Sequence, residues 1–180
     1  LQSKPKFANH PYNKPQQAKL SSQSIETYCR AIRSFFGFLK REGFVENNVM
    51  AKVKMPKVPE VVIPTFSENE LAKLLSQTNR VTKEGFRDYC LLLIFIDTGI
   101  RLSELACLKP DDIDYEQNLF KVMGKGRKER FVPFGRRVAK ALMKYQLKCR
   151  PEPIGTDNFW LRRDGRPLLP KRIEKLVASY

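Results

Sequence analysis

Histidine and tryptophan are nearly absent from this 180-residue sequence, one of each, and the four cysteines stand far apart. Cys29, Cys90, Cys107 and Cys149 form no C-x-x-C pair, and His10 is the one histidine available to join them. A metal site of thiolates and imidazoles is therefore not expected, and buried free thiols in a reducing compartment are. Long apolar runs are missing as well. The longest, Leu91 to Ile96 with Tyr89 and Cys90 before it, is bounded by Asp88 and Asp97. It falls far short of the roughly 20 residues a membrane span needs and reads as a core helix. Leu1 to Lys19 is polar and broken by Pro5, Pro11 and Pro15, so no signal peptide is expected there. The expected location is cytoplasmic, in association with the nucleoid and without membrane contact.

Acidic residues are scarce relative to basic ones. Thirty-four Lys and Arg stand against 19 Asp and Glu, a net charge of +15, and the pI is near 9.9. That is the electrostatic footprint of a polyanion binder, with DNA or RNA first among partners. Residues 1–60 hold 11 basic and 4 acidic residues, so they carry +7 and the remainder carries +8. An excess spread over both parts disfavours a basic tail on a neutral domain and fits a protein that follows a phosphate backbone over much of its length.

The apolar spacing divides the chain. Ile25, Tyr28, Ile32, Phe35, Phe36 and Leu39 recur at three- and four-residue steps, which predicts an amphipathic helix capped by Ser24 or Ser22 and stopped near Gly43. Arg30, Arg33, Lys40 and Arg41 occupy its other positions. Pro56, Pro59 and Pro64 lie too close together for a helix, so residues 58–66 read as a linker. Ser67 and Glu70 have capping-box spacing and open a second domain. A helix over Phe86 to Asp97 follows, then a Thr98-Gly99 break, a short helix near Leu102 to Leu108, and Pro110. Ile113 and Tyr115, Leu119 to Met123, and Arg130 to Phe134 read as short strands, with Gly124 to Lys128 the turn between two of them. Gly135 to Cys149 returns to helical spacing. Asp164-Gly165 marks a hairpin turn, and Pro170 opens a last helix with Ile173, Leu176 and Val177 on one face. The fold class is mainly α with a small antiparallel β-sheet (α+β).

Two basic motifs stand out, Thr98-Gly99-Ile100-Arg101-Leu102-Ser103-Glu104-Leu105 and Gly124-Lys125-Gly126-Arg127-Lys128-Glu129-Arg130. They put an arginine at a helix start and a lysine in a glycine-flanked hairpin, two cations on separate rigid elements where a phosphate could be held. Each alone has an ordinary reading, a helix cross-link and a solvated basic turn.

In this order, behind a helix-rich segment, they resemble the tyrosine recombinase family of phage and transposon integrases and Xer-type recombinases. The resemblance runs from about Ser22 onward. It implies that Arg101 contacts the scissile phosphate, that Lys125 protonates the departing 5′-hydroxyl, and that Glu104, one helical turn after Arg101, supports the site. It also implies that residues 1–57 are part of a helical core-binding domain and that 67–180 are the N-terminal part of the catalytic domain. Arg30, Arg33, Lys40, Arg127, Lys128, Arg130, Arg162 and Arg163 are the candidate DNA contacts.

The family's H-x-x-R box and later tyrosine nucleophile have no counterpart here. No histidine follows His10, and Tyr180 comes too early for the nucleophile. The sequence therefore reads as a recombinase fragment that binds double-stranded DNA without cutting it. The complete enzyme would work as a homo-tetramer on paired sites through a 3′-phosphotyrosyl intermediate. The covalent link conserves the bond energy, so no metal or other cofactor is expected. Alternatives are a DNA-binding regulator on the recombinase scaffold, a type IB topoisomerase-like enzyme that would act as a monomer, and an RNA-binding protein, for which no G-x-x-G clamp or aromatic RNP sequence is present.

Overall fold

The structure is a computed structural model that describes residues 20–59, 62, 64–124 and 128–180. The chain divides into two compact units, Leu1–Pro64 and Thr65–Tyr180.

In the first unit α1 spans Ser22–Arg41. Its cap is Ser21, ahead of both expected serines, Ser22 and Ser24, and the Ser21 hydroxyl accepts from the Ser24 amide at 3.2 Å. The helix stops where the spacing predicts. Gly43 takes a left-handed φ of 78°, its amide donates to the Lys40 carbonyl, and the Phe44 amide donates to Leu39. These two bonds close the helix in a Schellman motif.

The second unit begins with α2, Glu68–Ser76, whose Ser67 and Glu70 form the capping box in both directions. Next comes α3, Lys83–Thr98, three residues earlier at its start than the apolar spacing suggests because Thr82 caps it through the Gly85 amide. Every residue from Gly85 to Ile94 is buried, which makes α3 the axis of the core. A short helix α4, Leu102–Ala106, leads through a turn at Pro110–Asp112 to three antiparallel strands in sequential order. These are β1 (Ile113–Asp114), β2 (Leu119–Met123) and β3 (Glu129–Pro133). Tyr115 falls in the turn after β1 rather than in a strand. The register pairs Phe120 with Val132 and Val122 with Arg130, so Phe120, Val122 and Val132 face the core.

Helix α5, Arg136–Lys144, continues through one widened turn, Tyr145–Cys149, and both parts pack on α3. Around Asp164-Gly165 the expected hairpin shrinks to a single bridge, Leu161 with Pro167. Pro167 has no amide to extend the ladder, and Pro170 starts helix α6, Pro170–Val177. Helix α6 packs against α4. Among the described residues, no helix is long and apolar enough to cross a membrane, and no three candidate metal ligands cluster.

Candidate phosphate-binding site

The corner between α3 and α4 follows from three adjacent residues. Gly99 ends α3 at a φ of 60°, a left-handed conformation that suits glycine, and its amide closes on Phe95 at 3.1 Å. The Thr98 hydroxyl donates to the Ile94 carbonyl at 2.7 Å and accepts from the Ile100 amide at 3.2 Å. Ile100 is buried and anchors the corner, and Arg101 follows as the N-terminal cap residue of α4. The far end of α4 is held too. Asn158 donates to the Ala106 carbonyl at 3.0 Å, and the Phe159 amide donates to Leu108 at 2.7 Å.

Glu104 is the hub of the site, with a side chain only 3% exposed. One of its oxygens, Oε2, accepts from the Arg101 backbone amide at 3.0 Å and from Arg130 Nη2 at 2.7 Å. The other, Oε1, accepts from Arg101 Nη1 at 2.8 Å and from Arg130 Nε at 3.2 Å. A buried carboxylate is costly unless paired, and here each oxygen receives two donors. The Arg130 and Arg101 hydrogen bonds outweigh burial and lower its pKa from the ordinary 4.5 to about 2.

The sign of the resulting pH dependence follows. A carboxylate with a depressed folded pKa stabilises the fold above its unfolded pKa, and that stability is lost as protons bind on the way down. Acid titration should therefore weaken the Thr65–Tyr180 unit between pH 4.5 and about 2. With the arginines in solvent, the part due to Glu104 is about 2 kcal/mol. The check is chemical unfolding across that range for wild type and Glu104→Gln. An unchanged slope in the variant would show that Glu104 is not the group responsible.

The arginines are more open. Arg101 is 63% exposed and Arg130 41%. Among the described residues Glu104 is the only acceptor of either guanidinium, so each has N–H groups left for an anion. The root of the hairpin lies beside them. The Gly124 amide bonds the Lys128 carbonyl at 2.8 Å, and a β-carbon added at Gly124 would sit 4.0 Å from Glu104 Oε1. Lys125 and Arg127 lie outside the described residues; Gly124, just ahead of them, lies beside the Glu104 cluster.

Residues 64–180 match the phage integrase family. The chain belongs to that family. Its relatives include the tyrosine recombinase XerC of Oceanobacillus iheyensis, 38% identical over 142 residues, covering 79% of this chain and 47% of the relative. The tyrosine recombinase XerD of Listeria monocytogenes is 32% identical over 163 residues, covering 88% and 55%. The chain thus spans about half the length of these curated relatives. Among solved structures, a Tn1549 transposon integrase in complex with transposon right end DNA shares the fold at a TM-score of 0.68 and 20% identity, covering 89% of this chain and 59% of that one. A lambda integrase dimer bound to a core site does so at 0.67 and 15%, covering 88% and 44%.

Of the residues singled out in the sequence, the fold brings Arg101, Glu104 and Arg130 together. Arg130 was expected as a DNA contact of the hairpin, yet two of its N–H groups are spent on Glu104. Lys128 is exposed at the hairpin base. Arg162 and Arg163 lie elsewhere, in a cleft of about 880 Å³ that Arg87, Arg172 and Lys175 also line. There Arg162 pairs with Asp164 at 3.0 Å and Arg163 approaches Glu84 at 3.7 Å. Arg172 and Lys175 were not singled out, although their three-residue spacing on α6 puts them on one helix face. In the first unit Arg30 pairs with Glu26, and Arg33 is turned onto the Met50 and Val53 carbonyls, where it braces the loop after α1. Lys40 has no ion-pair partner among the described residues.

Tyr180 stands apart from the Glu104 cluster. Its hydroxyl donates to Asp88 at 3.4 Å, and Arg87 holds the other oxygen of that carboxylate at 2.7 and 2.9 Å. Burial, ahead of the neighbouring carboxylate, raises the Tyr180 pKa, the opposite of what a nucleophile needs.

Proposed function

We propose that this chain carries the phosphate-holding part of a site-specific DNA recombinase, which cleaves a strand through a 3′-phosphotyrosyl link and rejoins it by the reverse step. The observation that supports it best is the pair of guanidiniums on one buried carboxylate at the root of the hairpin that bears Lys125, in a chain of the phage integrase family. Arg101 suits a pentavalent phosphate because its planar fork stays protonated and is already oriented before charge develops. Lys125, by the family resemblance, would protonate the leaving 5′-oxygen as a general acid.

Cleavage also needs a nucleophilic tyrosine and, by family resemblance, a second arginine from an H-x-x-R box. No histidine follows His10 in these 180 residues, so they are proposed to bind DNA and to depend on further groups for cutting. In this reading residues 1–57 belong to a helical DNA-binding domain, 58–66 are a linker, and 67–180 are catalytic-domain sequence. The partners are double-stranded DNA and, in the complete enzyme, three further copies on paired sites, in the cytoplasm at the nucleoid. Arg30, Lys40, Arg127, Lys128 and the cleft of Arg162 and Arg163 are proposed backbone contacts.

The test is to incubate the complete protein with a nicked duplex that traps the covalent step. A DNA adduct that survives denaturation is the expected result, and a complete protein that forms none on any duplex would sink the reading. The 180 residues alone should bind duplex DNA with a steep salt dependence. With about six phosphates contacted, affinity falls roughly 10³-fold between about 50 and 200 mM salt. Flat binding over that range would remove the backbone-contact assignment.

A further inference from the structure

Glu104 accepts four hydrogen bonds, two on each oxygen, so its acceptor capacity is full. Arg101 places one side-chain N–H there, and Arg130 fills one position on each oxygen. Arg130 stands on β3 opposite Val122, two residues beyond the Lys128 carbonyl that closes the hairpin. The same guanidinium therefore ties the hairpin base to the carboxylate.

Resting on the recombinase reading, we propose that Arg130 is a positioning residue: it saturates Glu104, so that Arg101 stays turned toward the phosphate, and it ties the hairpin base at Gly124 and Lys128 to the Arg101 helix. Without Arg130, one acceptor site opens on each oxygen of Glu104, whose Oε1 already accepts from Arg101 Nη1 at 2.8 Å. An arginine fork closes on such a carboxylate in preference to remaining in water. The phosphate would then compete with Glu104 for Arg101.

The experiment compares R130Q, R130K, E104Q and the double variant E104Q/R130Q in two measurements. In the complete protein, R130Q should reduce covalent-adduct formation roughly 100-fold, the scale of a small misplacement of a reacting group, with duplex affinity changed by threefold or less. R130K, which keeps the charge but not the fork, should recover part of that loss. Because Arg130 acts through Glu104, the double variant should be no slower than E104Q alone. Losses that multiply in the double variant would overturn the proposal, whereas a merely structural role would make them multiply.

The second measurement is carboxyl NMR titration of Glu104 in the 180-residue chain, which needs no activity. Loss of Arg130 should move the Glu104 titration upward by a unit or more, and an unmoved titration would overturn the proposal. If R130Q fails to fold, R130K carries the same comparison. A complete protein that forms no adduct while Glu104 shifts as expected would refute the recombinase reading and leave the Arg130 to Glu104 linkage standing.

Discussion

Arg101→Ala should lower covalent-adduct formation by the complete protein about 10³-fold while leaving duplex affinity within roughly threefold, because removing one preorganised donor to developing charge costs on this scale. Among the described residues the guanidinium makes one side-chain bond, to Glu104, and is 63% exposed, so in the proposed reaction its other N–H groups would meet oxygen atoms whose charge grows as the phosphate becomes pentavalent. In the ground state that phosphate carries a single charge, and the many other basic residues of a +15 chain can hold it, so binding changes little. Arg101→Lys tests the geometry. A lysine keeps the charge but offers a compact point instead of a fork, so it should recover only a minor part of the rate. Equal losses of binding and of cleavage in Arg101→Ala would mean that Arg101 only holds DNA and does no work on the transition state.

What could be read from the residues alone was what neighbours in sequence decide. Gly43 and Gly99 announce helix ends because only left-handed backbone closes those turns, and Ser67 with Glu70 announces a helix start because the two cap each other across three residues. Arg101 with Glu104 has the same local character. The second arginine on Glu104 does not, since Arg130 is 26 residues away and reaches the carboxylate only through the β2–β3 register. A one-residue slip would turn Arg130 to the other face of the sheet, and nothing in its spacing from Glu104 reveals which register forms. The bond from Gly135 at the start of α5 to Asp97 at the end of α3 is hidden in the same way, a contact 38 residues apart at 2.7 Å. The segment around Asp164-Gly165 looks like a hairpin because both flanks are apolar. Those flanks instead fill the core, where Phe159, Trp160 and Leu168 are buried and only one bridge forms.

That packed segment carries the largest expected stability effect. Trp160 has no exposed surface, stacks on Tyr145 with ring centres 5.1 Å apart and meets Phe159 edge-on at 4.9 Å. Trp160→Ala should cost the Thr65–Tyr180 unit about 3–5 kcal/mol, the sum of lost burial and of a cavity that rigid neighbours cannot close. The neighbours are rigid for stated reasons. The Leu161 amide donates to the Tyr145 hydroxyl at 3.2 Å, Arg87 donates to the Leu161 carbonyl at 3.1 Å, and the Leu168 amide donates to Trp160 at 2.9 Å. Among the described residues the indole N–H has no partner, so Trp160→Phe removes volume without breaking a hydrogen bond and should cost clearly less. Urea unfolding of both variants decides the matter, and a Trp160→Ala protein within about 1 kcal/mol of wild type would show that the site collapses after all. The consequence reaches the candidate phosphate site, because Asn158 and Phe159, just ahead of Trp160, close the carbonyl end of α4, the helix that holds Glu104. Loosening that end frees α4 to shift, so Trp160→Ala should also raise the pH at which Glu104 titrates, whereas Trp160→Phe leaves it low.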